Sequence, residues 1–223
     1  MSTRIEFTAK SGAKTHGELA TPDGTGSAGG VVLIQEWWGV NGHIKSLASR
    51  LADAGFLVLA PDLFHGEIAT DAGRAEQLMH ALDFGRAVDE VAGAVEHLRT
   101  APRSTGKVAV VGFCMGGAVT LAAAAAIPTL SAAVPFYGIP GSADYSKLKA
   151  PVLGHFAKKD TFVTVARAQQ VQKEINAAGG SMQLEVYDAQ HAFVNDTRPE
   201  VYDEASAKLA WDRTIAFLRK HLA

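Results

Sequence analysis

The single cysteine of the chain lies in a glycine-framed segment, GFCMGG, that runs from Gly112 to Gly117. Glycines stand two positions before and two positions after Cys114. This spacing matches the G-x-S-x-G turn, which holds a nucleophile on a sharp bend between a strand and a helix, with cysteine in place of serine. Such a bend leaves no room for side chains at the glycine positions, and it puts the sulfur at a helix N-terminus, which favours thiolate. The segment therefore predicts a nucleophilic cysteine, with a small buried structural cysteine as the alternative.

An acid and a histidine follow Cys114 in the order that this kind of site uses. Asp160 ends the segment PVLGHFAKKD, and His191 follows the segment LEVYD. A histidine can take the thiol proton and return it to a leaving alcohol, while an aspartate fixes its tautomer and stabilises the imidazolium. Taken alone, His191 fits a surface position, since the chain has eight histidines, and Asp160 fits a cap for a helix that begins at Thr161. The three placements together predict a Cys-His-Asp triad.

Alternating strands and helices must position these residues. Short continuous apolar runs, such as GGVVLIQE, FLVLAPDLF and KVAVVGF, are typical of strands buried on both faces. Helical periodicity follows in HIKSLASRLADAG, where Gly55 is placed to end the helix. Further strands are predicted in SAAVPFYG, PVLGHFAKKD and SMQLEVYD, and further helices over residues 84–98, 115–126, 165–175 and 205–222. The segments 5–10 and 16–20 predict an N-terminal hairpin.

This alternation predicts an α/β fold with a mostly parallel central sheet covered by helices on both faces. We expect residues 1–223 to form a single domain, because the pattern shows neither a repeat nor a linker. In such sheets, sites lie beyond the carboxyl ends of the strands. Each member of the predicted triad follows a different strand at that edge.

Composition argues against several classes of function. With 48% hydrophobic residues, 20% charged residues and a net charge of −2, the chain lacks the clustered basic residues of a nucleic-acid-binding surface. The longest apolar run, from Ala118 to Leu130, is too short to span a membrane. One cysteine cannot form an internal disulfide, and MSTRIEFTAK has no signal-peptide core, so we expect a cytoplasmic protein. The histidines lack metal-ligand spacing. We therefore expect no metal site and no nucleic-acid or membrane partner, and we also expect a monomer or weak homo-oligomer.

The sequence resembles the dienelactone hydrolase (carboxymethylenebutenolidase) family of the α/β-hydrolase fold. The matching segments are QEWWG, APDLF, GFCMGG, KKD and QHAF, which begin at Gln35, Ala60, Gly112, Lys158 and Gln190. The resemblance covers essentially the whole chain. It implies that a small ester or lactone is hydrolysed through a Cys114 thioester, without metal or cofactor.

The resemblance also implies roles for residues near the first buried strand. In this family the glutamate of the QE motif, here Glu36, contacts the resting cysteine and keeps the thiol protonated until substrate binds. A buried carboxylate can do this because its negative charge disfavours thiolate; the alternative is that Glu36 pairs with a lysine or caps a loop. By position, the backbone N–H groups of Met115 and Trp37 form the oxyanion hole.

The substrate loop departs from the family pattern. In dienelactone hydrolases the stretch after the histidine reads H-S-F-A-R, and its arginine helps to bind the substrate carboxylate. Here the stretch reads HAFVN, so that Asn195 replaces the arginine. A second carboxylate-binding arginine is expected after PDLF; Arg74 lies nearby but out of register, and Arg198 is a further candidate to compensate. A neutral or differently charged ester is therefore at least as good a candidate as dienelactone.

Aromatic residues after the strand ends are candidates for an apolar pocket wall, with Trp38, Tyr137 and Phe193 as the expected members. A thioesterase differs from this prediction only in the leaving group. The alternative from another class is a non-catalytic small-molecule-binding or thiol redox-sensing protein on the same fold, since an activated thiol oxidises readily. The complete triad argues against a pure sensor.

Overall fold

The computed structural model describes residues 2–223, and within them eight strands form one sheet flanked by six α-helices. The elements, in chain order, are β1 (Thr3–Thr8), β2 (Lys14–Ala20), β3 (Ala28–Ile34), α1 (Gly42–Asp53), β4 (Leu57–Pro61), α2 (Ala72–Ala81), α3 (Phe84–Thr100), β5 (Ser104–Phe113), α4 (Met115–Ala126), β6 (Ala132–Phe136), β7 (Val152–Ala157), α5 (Val165–Ala177), β8 (Met182–Tyr187) and α6 (Glu204–Leu222). None of the helices within this range combines the length and the apolarity needed to cross a bilayer.

The sheet is mostly parallel, with the strand order β1-β2-β4-β3-β5-β6-β7-β8. The predicted N-terminal hairpin is confirmed: β1 and β2 pair antiparallel, and β2 pairs antiparallel with β4. From β4 to β8 every neighbouring pair is parallel. The carboxyl ends of β3, β5, β6, β7 and β8 therefore meet at one edge of the sheet, where the predicted site residues follow.

Both faces of the sheet are covered, as the continuous apolar runs predict. Along β3 the side chains alternate: Val32 and Ile34 pack into one buried cluster with α3, α4 and α5, whereas Val31 and Leu33 pack into the other with α1 and α6. Since successive residues of a strand point to opposite faces, a strand buried on both sides has to be apolar throughout. The predicted fold class is confirmed.

Helix α2 and the end of β4 are where the sequence prediction fell short. The pattern gave no helix over residues 72–81, and in the structure Ala75 is the one buried residue of α2. A helix so exposed carries no apolar stripe to detect, although the Asp71 side chain caps its N-terminus by accepting from the Arg74 N–H. The sequence predicts a strand that continues to Phe64, but β4 ends at Pro61. The chain turns there, because the Asp62 carboxylate accepts a hydrogen bond from the Gly66 N–H at 2.7 Å.

Candidate active site

The elbow at Cys114 is held in a strained backbone conformation. Cys114 lies between β5 and α4 with φ 56° and ψ −117°, a region that costs a non-glycine residue about 1–3 kcal/mol and that is found mainly at functional sites. A Cβ atom on Gly112 would overlap the carbonyl oxygen of Gly116, and one on Gly116 would lie 2.5 Å from the carbonyl oxygens of Ile34 and Gln35. The predicted steric need for both glycines is confirmed.

Further strain lies around this elbow. Tyr137, which directly follows β6, has φ 37°, and Ala192, which directly follows His191, has φ 62°. The neighbouring Gly138 approaches so closely that a Cβ atom there would overlap the carbonyl oxygen of Cys114. The loops that carry the predicted site residues are thus pressed together at the carboxyl edge of the sheet.

The structure brings His191 and Asp160 into direct contact. His191 Nδ1 donates to Asp160 Oδ2 at 2.7 Å, and the Asp160 side chain is fully buried. The other oxygen, Oδ1, accepts from the backbone N–H groups of Phe162 at 2.7 Å and Val163 at 2.9 Å. Asp160 therefore both orients the histidine and caps the turn after β7, while Thr164 caps the helix α5 itself.

The surroundings of His191 stabilise the imidazolium that forms when the ring takes up a proton. Burial by itself disfavours that charge, but hydrogen bonds with Asp160 and Cys114 outweigh it and raise the pKa of His191 to about 10. The histidine side chain is 17% exposed, and Cys114 is partly exposed as well. The thiol and the imidazole are therefore both within reach of a small molecule from solvent.

Glu36 lies just beyond β3 and is buried, with 2% of its surface exposed. Its carboxylate accepts from the Asn195 side-chain amide at 2.7 Å and from the Tyr137 hydroxyl at 3.4 Å. The sequence also allowed a lysine as the partner of Glu36, but its hydrogen-bond partners in the structure are Asn195 and Tyr137. Burial raises the pKa of Tyr137 well above its usual range, and the nearby Glu36 and Cys114 raise it further. Tyr137 therefore stays protonated and donates to Glu36.

Two opposing effects set the charge of Glu36. Burial raises the pKa of its carboxyl group, whereas His43, the Asn195 hydrogen bond, His191 and Arg198 lower it, in that order of size. The net direction is upward. Burial thus disfavours the charged form of Glu36, and the surrounding polar groups offset part of that effect.

Asn195 and Phe193 lie inside the protein, behind the site. The Asn195 side chain, 1% exposed, donates to Glu36 and accepts from the backbone N–H and the hydroxyl of Thr197 at 3.1 and 2.6 Å. Phe193 is fully buried, and its ring centroid lies 5.5 Å from that of Tyr137 and 5.0 Å from that of Tyr187. Asn195 thus uses its polar atoms within the protein.

The two arginines weighed for a substrate carboxylate have different neighbours. Arg74 is exposed at the start of α2 and pairs with Glu67. Arg198 pairs with Glu200 at 2.8 Å, and its guanidinium lies 5.7 Å from the ring centroid of Trp38. Arg198, whose charge also acts on Glu36, is therefore the arginine tied to the predicted site residues.

The two predicted oxyanion donors follow the ends of neighbouring strands, β5 and β3. Met115 is the first residue of α4, where backbone N–H groups have no partner within the helix. Trp37 follows β3, which pairs in parallel with β5 up to Ile34 and Gly112. Both N–H groups therefore belong to the same edge of the sheet as Cys114.

Two residues near the site escaped the sequence analysis. Phe162 is 79% exposed, and its ring centroid lies 5.1 Å from that of His191; its place two residues after Asp160 was a usable signal. His43, on the buried face of α1, acts on Glu36 and had no signal beyond its residue type. Within residues 2–223, no group of three or more His, Cys, Asp and Glu side chains is arranged to hold a metal ion.

Known proteins similar to this chain share its fold and most of its length. The sequence profile of the dienelactone hydrolase family matches residues 15–222. The chain belongs to the dienelactone hydrolase family. It is 35% identical to Protein usf of Aquifex pyrophilus in an alignment that spans both chains completely. It is 29% identical to carboxymethylenebutenolidase 1 of Cupriavidus pinatubonensis over 98% of this chain and 97% of the relative.

Among solved structures, the chain is similar to the dienelactone hydrolase-like promiscuous phosphotriesterase P91 from metagenomic libraries. The TM-score is 0.87 at 26% identity, and the alignment covers 100% of this chain and 99% of the other. The predicted membership of the family and the α/β-hydrolase fold are thereby confirmed. Family membership also makes the chain a hydrolase of the ester- and lactone-cleaving type, as its sequence predicted.

Proposed function

We propose that this dienelactone hydrolase relative cleaves a small ester or lactone through a thioester on Cys114. His191 acts as base and then as acid, and Asp160 orients it. The main support is the 2.7 Å contact between His191 Nδ1 and the buried Asp160 carboxylate, beside a cysteine held at positive φ. The same arrangement of roles serves nucleophilic hydrolases on unrelated folds.

Acylation begins when His191 accepts the proton of Cys114, which its raised pKa favours. The sulfur forms a bond to the substrate carbonyl carbon, and the backbone N–H groups of Met115 and Trp37 receive the charge on the oxygen. The bond from carbon to the leaving alkoxide then breaks, and the alkoxide takes the proton from His191. The result is a thioester on Cys114 and a free hydroxyl group.

Deacylation uses the same groups in reverse. His191 takes a proton from a water molecule, whose oxygen bonds to the thioester carbon. The carbon–sulfur bond breaks, and the proton on His191 returns to the sulfur. The carboxylic acid product leaves, and Cys114 is again a thiol.

In the same proposal, Glu36 restrains the thiol before substrate binds. The Tyr137 hydroxyl donates to the Glu36 carboxylate, and the charges of Glu36 and Cys114 both act on Tyr137, which supports a place for Glu36 in the neighbourhood of the sulfur. A nearby negative charge disfavours thiolate. We therefore expect Glu36→Gln to accelerate alkylation of the resting Cys114.

For the substrate, we propose a neutral ester or lactone. The amide of Asn195, which stands where the family arginine binds a carboxylate, donates instead to Glu36. Loss of one charge-assisted contact costs about 1.5–3 kcal/mol, roughly a 10- to 150-fold loss of affinity for a carboxylated substrate. Trp38, which is partly exposed, remains the proposed apolar wall residue, whereas Tyr137 and Phe193 are fully buried.

The test is hydrolysis of 4-nitrophenyl acetate and of a carboxylated dienelactone by the wild type and by Cys114→Ala. We expect turnover that disappears in the variant, with the neutral ester preferred. A fully active variant would show that Cys114 is not the nucleophile, and preference for the dienelactone would contradict the neutral substrate. The cytoplasmic location, the single domain and the monomer or weak homo-oligomer stay predictions.

A further inference from the structure

His155 is a histidine in the interior of the sheet, and both of its ring nitrogens have hydrogen-bond partners. It lies on β7, and its side chain is completely buried. Nδ1 lies 2.8 Å from the hydroxyl oxygen of Tyr187, and Nε2 lies 3.0 Å from the hydroxyl oxygen of Thr214 on α6. Burial of an imidazole costs free energy unless such bonds replace those to water. A residue that only filled space here would be aliphatic or aromatic.

The hydrogen bonds around His155 determine its tautomer. Thr214 donates its single hydroxyl proton to the Ala210 carbonyl oxygen at 2.8 Å, so it accepts from Nε2 of His155. Nδ1 therefore accepts from the Tyr187 hydroxyl, whose oxygen accepts in turn from Arg213 at 3.2 Å. Burial also lowers the pKa of His155 to about 3, so the ring stays neutral. The ring is thus fixed in one orientation between β8 and α6.

The His155 ring belongs to a row of three stacked rings on neighbouring strands. Phe113, Phe136 and His155 occupy paired positions on β5, β6 and β7. The ring centroids lie 4.5 Å apart from Phe113 to Phe136 and 4.4 Å apart from Phe136 to His155. Cys114 directly follows Phe113, and its N–H donates to the Phe136 carbonyl oxygen at 3.0 Å. A shift of this row therefore moves the elbow that carries the sulfur.

Tyr187 connects His155 to the loop that carries His191. Tyr187 is the last residue of β8, and the loop to His191 begins directly after it. Its ring centroid lies 5.0 Å from that of Phe193. The Tyr137 ring lies 5.5 Å from Phe193 and 5.0 Å from His191, and the Tyr137 N–H donates to the His155 carbonyl oxygen at 2.8 Å. His155 therefore contacts both the row below the elbow and the aromatic residues beside the proposed base.

We propose that His155 is a positioning residue that holds the Cys114 elbow and the His191 loop at the separation that proton transfer between them requires. It acts through its hydrogen bond with Tyr187 and its stacking on Phe136. The inference rests on the proposed function, in which His191 exchanges a proton with Cys114. A displacement of about 1 Å in catalytic groups, caused by a change far from the chemistry, can lower the rate about 100-fold.

The test compares the wild type with His155→Phe, Tyr187→Phe and the double variant. It measures Tm, kcat and KM for 4-nitrophenyl acetate, and the rate at which iodoacetamide alkylates Cys114 at pH 7. His155→Phe keeps a ring for stacking but leaves the Tyr187 hydroxyl without its acceptor. We expect a lower Tm and a kcat that falls at least about fivefold, while KM changes less than about twofold. Alkylation should slow at least about threefold, because a displaced imidazole no longer accepts the thiol proton.

The double variant separates positioning from stability. It also removes the unpaired hydroxyl, and replacing both partners of a buried hydrogen bond by apolar groups of similar shape costs little stability. Its Tm should therefore return toward that of the wild type. We expect kcat and the alkylation rate to stay as low as in His155→Phe, because the link between the row and the His191 loop is still missing. A purely structural His155 predicts that both recover together with Tm.

Val152→Ala is the matched control for a loss of buried volume. Val152 lies at the start of β7, on the same strand as His155, and is buried in the cluster on the other face of the sheet. This variant should lower Tm and leave both kcat and the alkylation rate unchanged.

The outcomes decide the inference separately from the proposed function. A smaller loss of kcat in His155→Phe, or a double variant whose kcat recovers with Tm, overturns the inference. If His155→Phe does not fold, Tyr187→Phe decides, because it keeps the imidazole: a kcat at least about threefold lower at unchanged KM supports the inference, and a smaller loss overturns it. A wild type that does not hydrolyse the ester contradicts the proposed function. The alkylation rates then decide alone: slowing in His155→Phe and not in Val152→Ala supports the positioning role, and equal rates overturn it.

Discussion

Substitution of Asp160 separates the two contacts that one carboxylate makes. Oδ2 orients His191, whereas Oδ1 accepts from the backbone N–H groups of Phe162 and Val163. In Asp160→Asn the amide oxygen can still accept from these two groups. The amide NH₂ then faces His191 Nδ1 and holds the imidazole in the tautomer that has its proton on Nε2, where it cannot accept the proton of Cys114.

The expected loss of activity follows from this wrong tautomer. In a serine triad the equivalent amide substitution lowers kcat about 10⁴-fold, and we expect a loss of roughly 10³- to 10⁴-fold in kcat/KM here, or about 4–5.5 kcal/mol of transition-state stabilisation. Asp160→Ala should be similarly inactive, and it also leaves the N–H groups of Phe162 and Val163 without their acceptor. Because Phe162 is exposed, water replaces part of that contact, and we expect about 1–3 kcal/mol of destabilisation.

The stability effect of Asp160→Asn should depend on pH. The folded-state pKa of His191, about 10, is raised above its ordinary value of 6.5. This raised pKa contributes stability that is complete below pH 6.5 and is lost as the pH rises through about 10. Without the carboxylate, the pKa of His191 falls, so the variant should lose most stability near pH 6 and least near pH 10.

The assays are hydrolysis of 4-nitrophenyl acetate and urea unfolding at pH 6, 8 and 10, for the wild type and both variants. An Asn variant with more than a tenth of wild-type kcat/KM would refute the orienting role of Asp160. Equal stability of the Asn and Ala variants would refute its role in the turn. A stability loss that grows with pH would contradict the raised pKa of His191.

Three further predictions concern other parts of the structure. Gly116→Ala should destabilise the protein by several kcal/mol and abolish activity, because the new Cβ meets the carbonyl oxygen of Gln35 at 2.5 Å; thermal unfolding measures this. Burial raises the pKa of Glu90 to about 7, so ionisation of this carboxyl lowers the free energy of unfolding as the pH rises from 4.5 through 7. Glu90→Gln should therefore be more stable than the wild type by on the order of 1 kcal/mol at pH 8 and equal to it near pH 4. Urea unfolding at the two pH values measures this difference. Phe162→Ala should lower kcat/KM about 5- to 30-fold for esters with a large apolar group and little for methyl esters, because the exposed ring adjoins His191, the proposed base. Leu209→Ala, at another exposed apolar residue, is the control and should change neither value.

Much of the fold and the placement of the three proposed triad residues followed from local patterns in the sequence. Continuous apolar runs predict strands buried on both faces, and parallel strands bring their carboxyl ends to one edge, so Cys114, Asp160 and His191 could be placed there without coordinates. The spacing of Gly112 and Gly116 predicted the tight elbow, because the requirement is steric and local. Helix α2 was missed for the converse reason: an exposed helix has no periodic apolar stripe.

The tertiary structure alone decided what surrounds the proposed triad. Glu36 meets Tyr137 and Asn195 across sequence separations of 101 and 159 residues, and His43 meets Asp196 across 153. Such contacts depend on side-chain rotamers and on burial created by distant elements, for which the sequence has no local period. Packing thus directs the Asn195 amide to Glu36. The residue type alone indicated only that a substrate carboxylate has no arginine partner at this position.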